Sequence, residues 1–148
     1  MGVRVKRWLL HYVAAALFFA LIDALWITIV ARGQYETRLG HLLAAEPNIA
    51  GAAAFYFIYT AGIVHYGIRP NNQEMSLGKR LAGAALFGMF TYSTWALTAL
   101  TLLKDFPPTV ALTDILWGAG VCCFVTWLVA LLSRGLSKKD VKPPAGNA

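Results

Sequence analysis

Four apolar runs, each roughly 20 residues or longer, constrain this chain more than any other feature. They cover about Trp8 to Val30, Ile49 to Ile68, Leu81 to Leu103 and Thr109 to Leu132. At a rise of about 1.5 Å per residue, each is long enough for about 30 Å of hydrocarbon. Lipid offers the backbone no hydrogen-bond partner, so segments of this kind cross as helices. The totals agree: 58% of the 148 residues are hydrophobic, and the mean hydropathy is +0.57. A soluble domain of this size could not hide so much apolar surface. The expected fold is an all-α polytopic membrane protein. Four transmembrane helices form an antiparallel bundle in a single domain, residues 1–132.

The connections set the topology. Only Asp105, Phe106, Pro107 and Pro108 follow Lys104 before the fourth run, so runs three and four make an antiparallel hairpin. Proline ends one helix and starts the next. Ten of the thirteen Lys and Arg residues fall on one side: Arg4, Lys6, Arg7, Arg69, Lys79, Arg80, Arg134, Lys138, Lys139 and Lys142. Arg32, Arg38 and Lys104 fall on the other. The bias predicts that both termini are cytoplasmic, with the membrane crossed several times. Arg4, Lys6 and Arg7 resemble a signal-peptide head. The apolar run after them is too long for one and carries Asp23 and Trp26, so it reads as a retained first span. Trp8 and Tyr12 suit the inner interface, Tyr35 and Phe106 the outer one. Between Ala31 and Asn48, residues Tyr35, Leu39, Leu42 and Leu43 recur at helical spacing, with Pro47 as a stop. This predicts a short interfacial helix over the bundle mouth. Residues 133–148 read as a basic, solvated, disordered tail.

Inside this apolar frame one pattern occurs twice. Leu21-Ile22-Asp23-Ala24-Leu25-Trp26 lies in the first run, and Leu112-Thr113-Asp114-Ile115-Leu116-Trp117 in the last. Each sets an acid and an indole three residues apart, hence on one helix face. A carboxylate at that depth costs at least about 2.5 kcal/mol, so it turns toward protein, water or ligand. Counted along the helices, Asp23 lies about 10 Å and Asp114 about 7 Å below the outer end. Run two brings Tyr56 and Tyr59 to that level, and run three brings Tyr92, Ser93, Thr94, Trp95, Thr98 and Thr101. All four helices thus contribute to one outer polar layer, a candidate pocket or vestibule.

Two readings of that layer compete. In one, Asp23 and Asp114 bond hydroxyls and indoles and lock helix to helix, with Asp114 also favouring the helix dipole and Thr113 as its cap. In the other, the acids bind a cation, proton or amine within aromatic walls. The small residues at Gly51-Ala52-Ala53-Ala54, Ala84, Gly88 and Gly118-Ala119-Gly120 point to tight helix packing, or to a homo-oligomer contact.

Other chemistry finds little support. Cys122 and Cys123 are adjacent and lack metal-site spacing; they read as small core or lipid-facing residues. His11 and His65 lie near the same end of their helices, but no second-shell acid accompanies them, so no haem is expected. No zinc spacing, phosphate loop, nucleophile elbow or serine triad appears, and no cofactor is expected. No stretch mixes basic and aromatic residues as a nucleic-acid groove would, so the net charge of +6 points to topology and anionic lipid.

Several blocks carry a family resemblance. Tyr35…Leu39-Gly40, Pro47, Ala53-Ala54-Phe55-Tyr56-Phe57-Ile58-Tyr59 and Arg69-Pro70 resemble a family of small four-helix bacterial membrane proteins, the domain-of-unknown-function family numbered 2177. Thr91-Tyr92-Ser93-Thr94, Leu97-Thr98 and Asp114-Ile115-Leu116-Trp117-Gly118 are similar to its later blocks. The resemblance spans about Leu10 to Leu132 and implies the architecture, in a bacterial inner membrane, without an activity. It also implies a further acid and amide in span three, where this chain has Ala96 and Ala99. Three function classes follow: a small-molecule or cation binding or transport protein, a non-catalytic accessory subunit of a larger membrane complex, and a lipid-modifying enzyme. The missing catalytic motifs weigh against the last.

Overall fold

A computed structural model describes residues 2–72 and 74–139. The first run forms α1 (Val3–Trp26). No proline interrupts it, and the helix continues through a π-helical stretch, Ile27–Ala31, into α2 (Arg32–Leu39) and a 3-10 turn, Gly40–Leu42. The short helix expected over the mouth is present, but it is the last part of one 40-residue helical path, Val3–Leu42. At about 1.5 Å per residue that path is about 60 Å long, twice the hydrocarbon thickness. Its end lies across the neighbouring helices. Leu39 is buried against Ala96, Ala99, Phe106, Val110 and Ala111, and the Arg38 guanidinium donates to Thr109 Oγ1. Phe106, expected at the membrane interface, is 5% exposed under this cover.

Helix α3 (Ile49–Gly62) starts at Asn48, whose side chain accepts from the Gly51 backbone N–H at 2.9 Å, as an N-cap does. It ends in a second π-helical stretch, Ile63–Ile68, closed by Arg69 in the left-handed region at φ 45°. Helix α4 (Leu77–Leu102) starts at Ser76. Its link to α5 (Pro108–Lys139) is short, with Asp105 at φ 60° and Pro108 as the first helical residue. Pro107 carbonyl oxygen takes the first amides of α5, from Val110 and Ala111. Two expectations change here. Residues 133–139, expected in a disordered tail, continue α5, since no proline appears before Pro143 to break the ladder. The rest of that tail, 140–148, lies outside the described residues. Asp114 is six residues inside α5, too deep to act as a first-turn acid, and Thr113 Oγ1 donates back to Thr109 O at 2.7 Å instead of capping.

Among the described residues the bundle is all-helical, with four segments long and apolar enough to cross a membrane. Bulky side chains such as Leu17, Leu21, Phe57, Ile58, Phe90 and Leu116 point outward, where hydrocarbon suits them. Small residues sit between helices. A Cβ built on Gly88 would lie 1.9 Å from the Gly118 carbonyl oxygen, so α4 and α5 touch backbone to backbone there. The small-residue runs therefore divide. Ala84, Gly88 and Gly118 are packed, while Gly51 to Ala54 and Gly120 face outward. One end of the bundle carries the start of α1, Arg69, the start of α4 and the end of α5; the other carries α2 and the α4–α5 link.

Candidate functional site

The two acid–indole repeats meet because α1 and α5 run antiparallel. The indole of each repeat then reaches the level of the other repeat's acid. Trp117 Nε1–H donates to Asp23 Oδ1 at 3.1 Å, and the Trp26 and Trp117 rings stack with centroids 4.1 Å apart and planes 6° from parallel. Tyr56 OH donates to the other oxygen of Asp23 at 2.8 Å. Both oxygens of Asp23 are thus engaged, and the residue is 4% exposed. Three helices, α1, α3 and α5, converge on one carboxyl group.

The reciprocal bond does not form. Among the described residues, Asp114 accepts from Tyr35 OH at 2.6 Å, through Oδ2 alone. Asp114 is 5% exposed, and no described side chain donates to its Oδ1. Tyr35 belongs to α2, and the π-helical stretch is what aims it. In a regular α-helix, residues four apart drift by about 40° around the axis, so Asp23, Ile27, Ala31 and Tyr35 would spread over about 120°. The extra residue in the π turn cancels much of that drift. All four residues line one cavity of about 650 Å³.

That cavity also holds Trp26, Phe55, Tyr59, Thr91, Tyr92, Trp95, Asp114 and Trp117, with the exposed Arg32–Glu36 ion pair (2.7 Å) at its rim. Its size is that of a small-ligand pocket, and its wall is apolar and aromatic around two acids. Tyr59 OH lies between Thr91 Oγ1 (3.1 Å) and Cys122 Sγ (3.2 Å), tying α3 to α4 and α5. Tyr56 meets the site through Asp23 rather than through the cavity wall. Thr94 and Thr98, expected in the layer, are exposed and outside the cavity; Thr94 Oγ1 donates back to Phe90 O at 2.9 Å. They share the depth of Trp95 but sit elsewhere around α4. Trp95 itself is 57% exposed at the edge.

Sequence reasoning missed Tyr35 and Thr91 as site residues. The four-residue spacing from Asp23 to Tyr35 was the available signal, and it needed an unbroken helix past Val30 to count. Replacing Tyr35 by Phe removes one bond to a buried carboxyl group, worth about 1–3 kcal/mol. The expected result is faster amide exchange across α2, with α1 below Trp26 unchanged, read by hydrogen–deuterium exchange.

Among the described residues, no group of three or more His, Cys, Asp and Glu is gathered as a metal site would need. His11 is engaged at both ring nitrogens, Nδ1 with Arg7 O at 2.7 Å and Nε2 with Ser133 Oγ at 3.1 Å. His65 is exposed and packs edge-on against Tyr66.

No curated protein and no solved structure was found to match this chain. A family model does match, over residues 8–131, which takes in α3 and α4 whole, most of α1 and α5, both acids and the whole wall of the cavity around them. The chain accordingly belongs to DUF2177, a family of predicted membrane proteins.

Proposed function

We propose that the cavity around Asp23 and Asp114 binds a small organic cation or amine with an apolar body, and that the protein handles this ligand at the outer face of a bacterial inner membrane, both termini being cytoplasmic. The single observation behind this reading is the combination inside the cavity: Asp114 keeps one carboxyl oxygen without a described donor, inside aromatic walls. A buried acid with spare acceptor capacity favours a cationic partner. The faces of Trp26, Tyr92 and Trp95 offer cation–π contacts, worth about 0.5–2 kcal/mol each. Asp23 plays a different part. Its bonds to Tyr56 and Trp117 hold the wall in shape, which makes it a positioning residue.

A lipophilic cation, tetraphenylphosphonium, is a suitable probe for the purified chain in detergent. Saturable quenching of tryptophan fluorescence is expected. Asp114→Asn should weaken it at least tenfold while the helix content and elution volume stay unchanged. Equal affinity in wild type and Asp114→Asn would overturn the reading. The full engagement of Asp23 supports a second reading, in which the polar layer only locks the helices of an accessory subunit. That reading expects stable co-purification with a larger membrane assembly in mild detergent, and no probe binding.

A further inference from the structure

A second cavity, of about 370 Å³, lies at the end of the bundle where α1 and α4 start. Three arginines from three helical regions line it: Arg7 at the start of α1, Arg80 in the first turn of α4 and Arg134 near the end of α5. Among the described residues, no acidic side chain lines it. His11 and Ser133, bonded to each other, form part of the wall. Scattered basic residues are what membrane topology alone would require. Convergence of three guanidinium groups on one concave space is a separate matter, because like charges repel there unless an anion answers them.

Two buried atoms make the cavity more than a charged rim. Thr126 is 1% exposed, lines the cavity, and its Oγ1 has no hydrogen-bond partner among the described residues. A threonine hydroxyl in a helix ordinarily donates to the carbonyl four residues back, as Thr91, Thr94, Thr101 and Thr113 do here. Arg80 Nε is likewise buried without a partner among the described residues, although its Nη2 is fixed on Asn72 O at 2.7 Å. An unpaired buried donor is destabilising, and more so on a charged group. Here two of them belong to residues that line the same basic cavity.

We infer that this cavity is a binding site for a phosphate-bearing anion, either an anionic phospholipid headgroup or a soluble phosphate. Guanidinium groups bind phosphate oxygens in pairs, and a hydroxyl donor completes such a cradle. The site does not depend on the cation reading of the other cavity, from which it is separated along the bundle.

The test uses the full chain, purified in detergent, with two probes. One is a mixture of phosphatidylglycerol and phosphatidylcholine, with bound lipid counted by native mass spectrometry. The other is inorganic phosphate, read as a shift in Tm against equal chloride. Preferential retention of phosphatidylglycerol assigns the site to a lipid headgroup; a phosphate-dependent rise in Tm assigns it to a soluble anion. Arg134→Gln and Arg80→Gln should reduce the positive signal at least tenfold. Lys79→Gln is the control: it removes the same charge one residue from Arg80, at a position that does not line the cavity. Thr126→Val keeps the shape, removes the unpaired hydroxyl and leaves the fold at least as stable, yet should still weaken anion retention. Should Arg80→Gln fail to fold, Arg134→Gln and Thr126→Val carry the test. The inference is overturned if neither probe responds, or if Lys79→Gln weakens the signal as much as Arg134→Gln does.

Discussion

Gly88→Ala should cost this protein most of its folded population. The added Cβ would meet the Gly118 carbonyl oxygen at 1.9 Å and its carbon at 2.5 Å. Overpacking a core commonly costs about 1–3 kcal/mol when side chains can shift. Here the obstacle is backbone, fixed by the hydrogen-bond ladder of α5, so the helices must separate and the cost should exceed about 3 kcal/mol. Separation would spread outward. Gly118 holds the Tyr92 ring on its own surface, with ring atoms 2.4 Å from where a Cβ would stand. Unfolding titrated with a denaturing detergent, followed by tryptophan fluorescence, measures the loss. Gly120→Ala is the matched control, since a Cβ there meets nothing within 4 Å. Alanine favours helix by about 1 kcal/mol over glycine, so that variant should be neutral or slightly stabilised. Equal stability of the two variants would mean that α4 and α5 do not touch at Gly88.

The second large effect is expected at Asp23. Asp23→Leu removes the acceptor of both Tyr56 OH and Trp117 Nε1–H. Each donor left without a partner costs about 1–3 kcal/mol, so the variant should lose roughly 2–6 kcal/mol. Asp23→Asn should be far milder. Its carbonyl oxygen accepts from Trp117, and its amide donates to the Tyr56 hydroxyl oxygen, which can act as acceptor. A fold lost with leucine and kept with asparagine identifies hydrogen bonding, rather than charge, as what Asp23 contributes. A double-mutant cycle sharpens this. Trp117→Phe removes one of the stranded donors, so Asp23→Leu should cost less in that background than in wild type. Additive losses would show that the indole and the carboxyl group do not share a bond. The contrast with Asp114→Asn, expected to spare the fold and weaken cation binding, divides two acids that look alike in sequence.

That division shows where sequence reasoning reaches its end. Depth could be counted from helix rise, which is why Asp23, Trp26, Tyr59, Tyr92, Asp114 and Trp117 could all be assigned to one level before any coordinates. Position around the helix axis could not be counted as well. Thr94 and Thr98 lie near the same level yet face outward, and Trp95 is only half inside. An azimuth depends on packing and on local changes of pitch. The π-helical stretch at Ile27–Ala31 is such a change, and nothing in Ile27-Thr28-Ile29-Val30-Ala31 announces it. Tyr35 was placed at the membrane interface for the same reason. Its bond to Asp114 spans 79 residues of chain and depends on a helix that does not stop where the apolar run does.

By itself the sequence determined the helical class, the number of crossings and the hairpin between α4 and α5. These follow from the length of apolar runs and from prolines, which act locally and need no knowledge of partners. It also required that Asp23 and Asp114 find polar company, because an isolated charge in hydrocarbon is costly wherever it points. Only the tertiary structure decided which company. Antiparallel packing set Trp117 against Asp23, the π turn swung Tyr35 onto Asp114, and the Gly88–Gly118 contact fixed how closely α4 and α5 approach. Partners of buried groups are chosen by the arrangement of all the helices at once, and no single stretch of sequence contains that information.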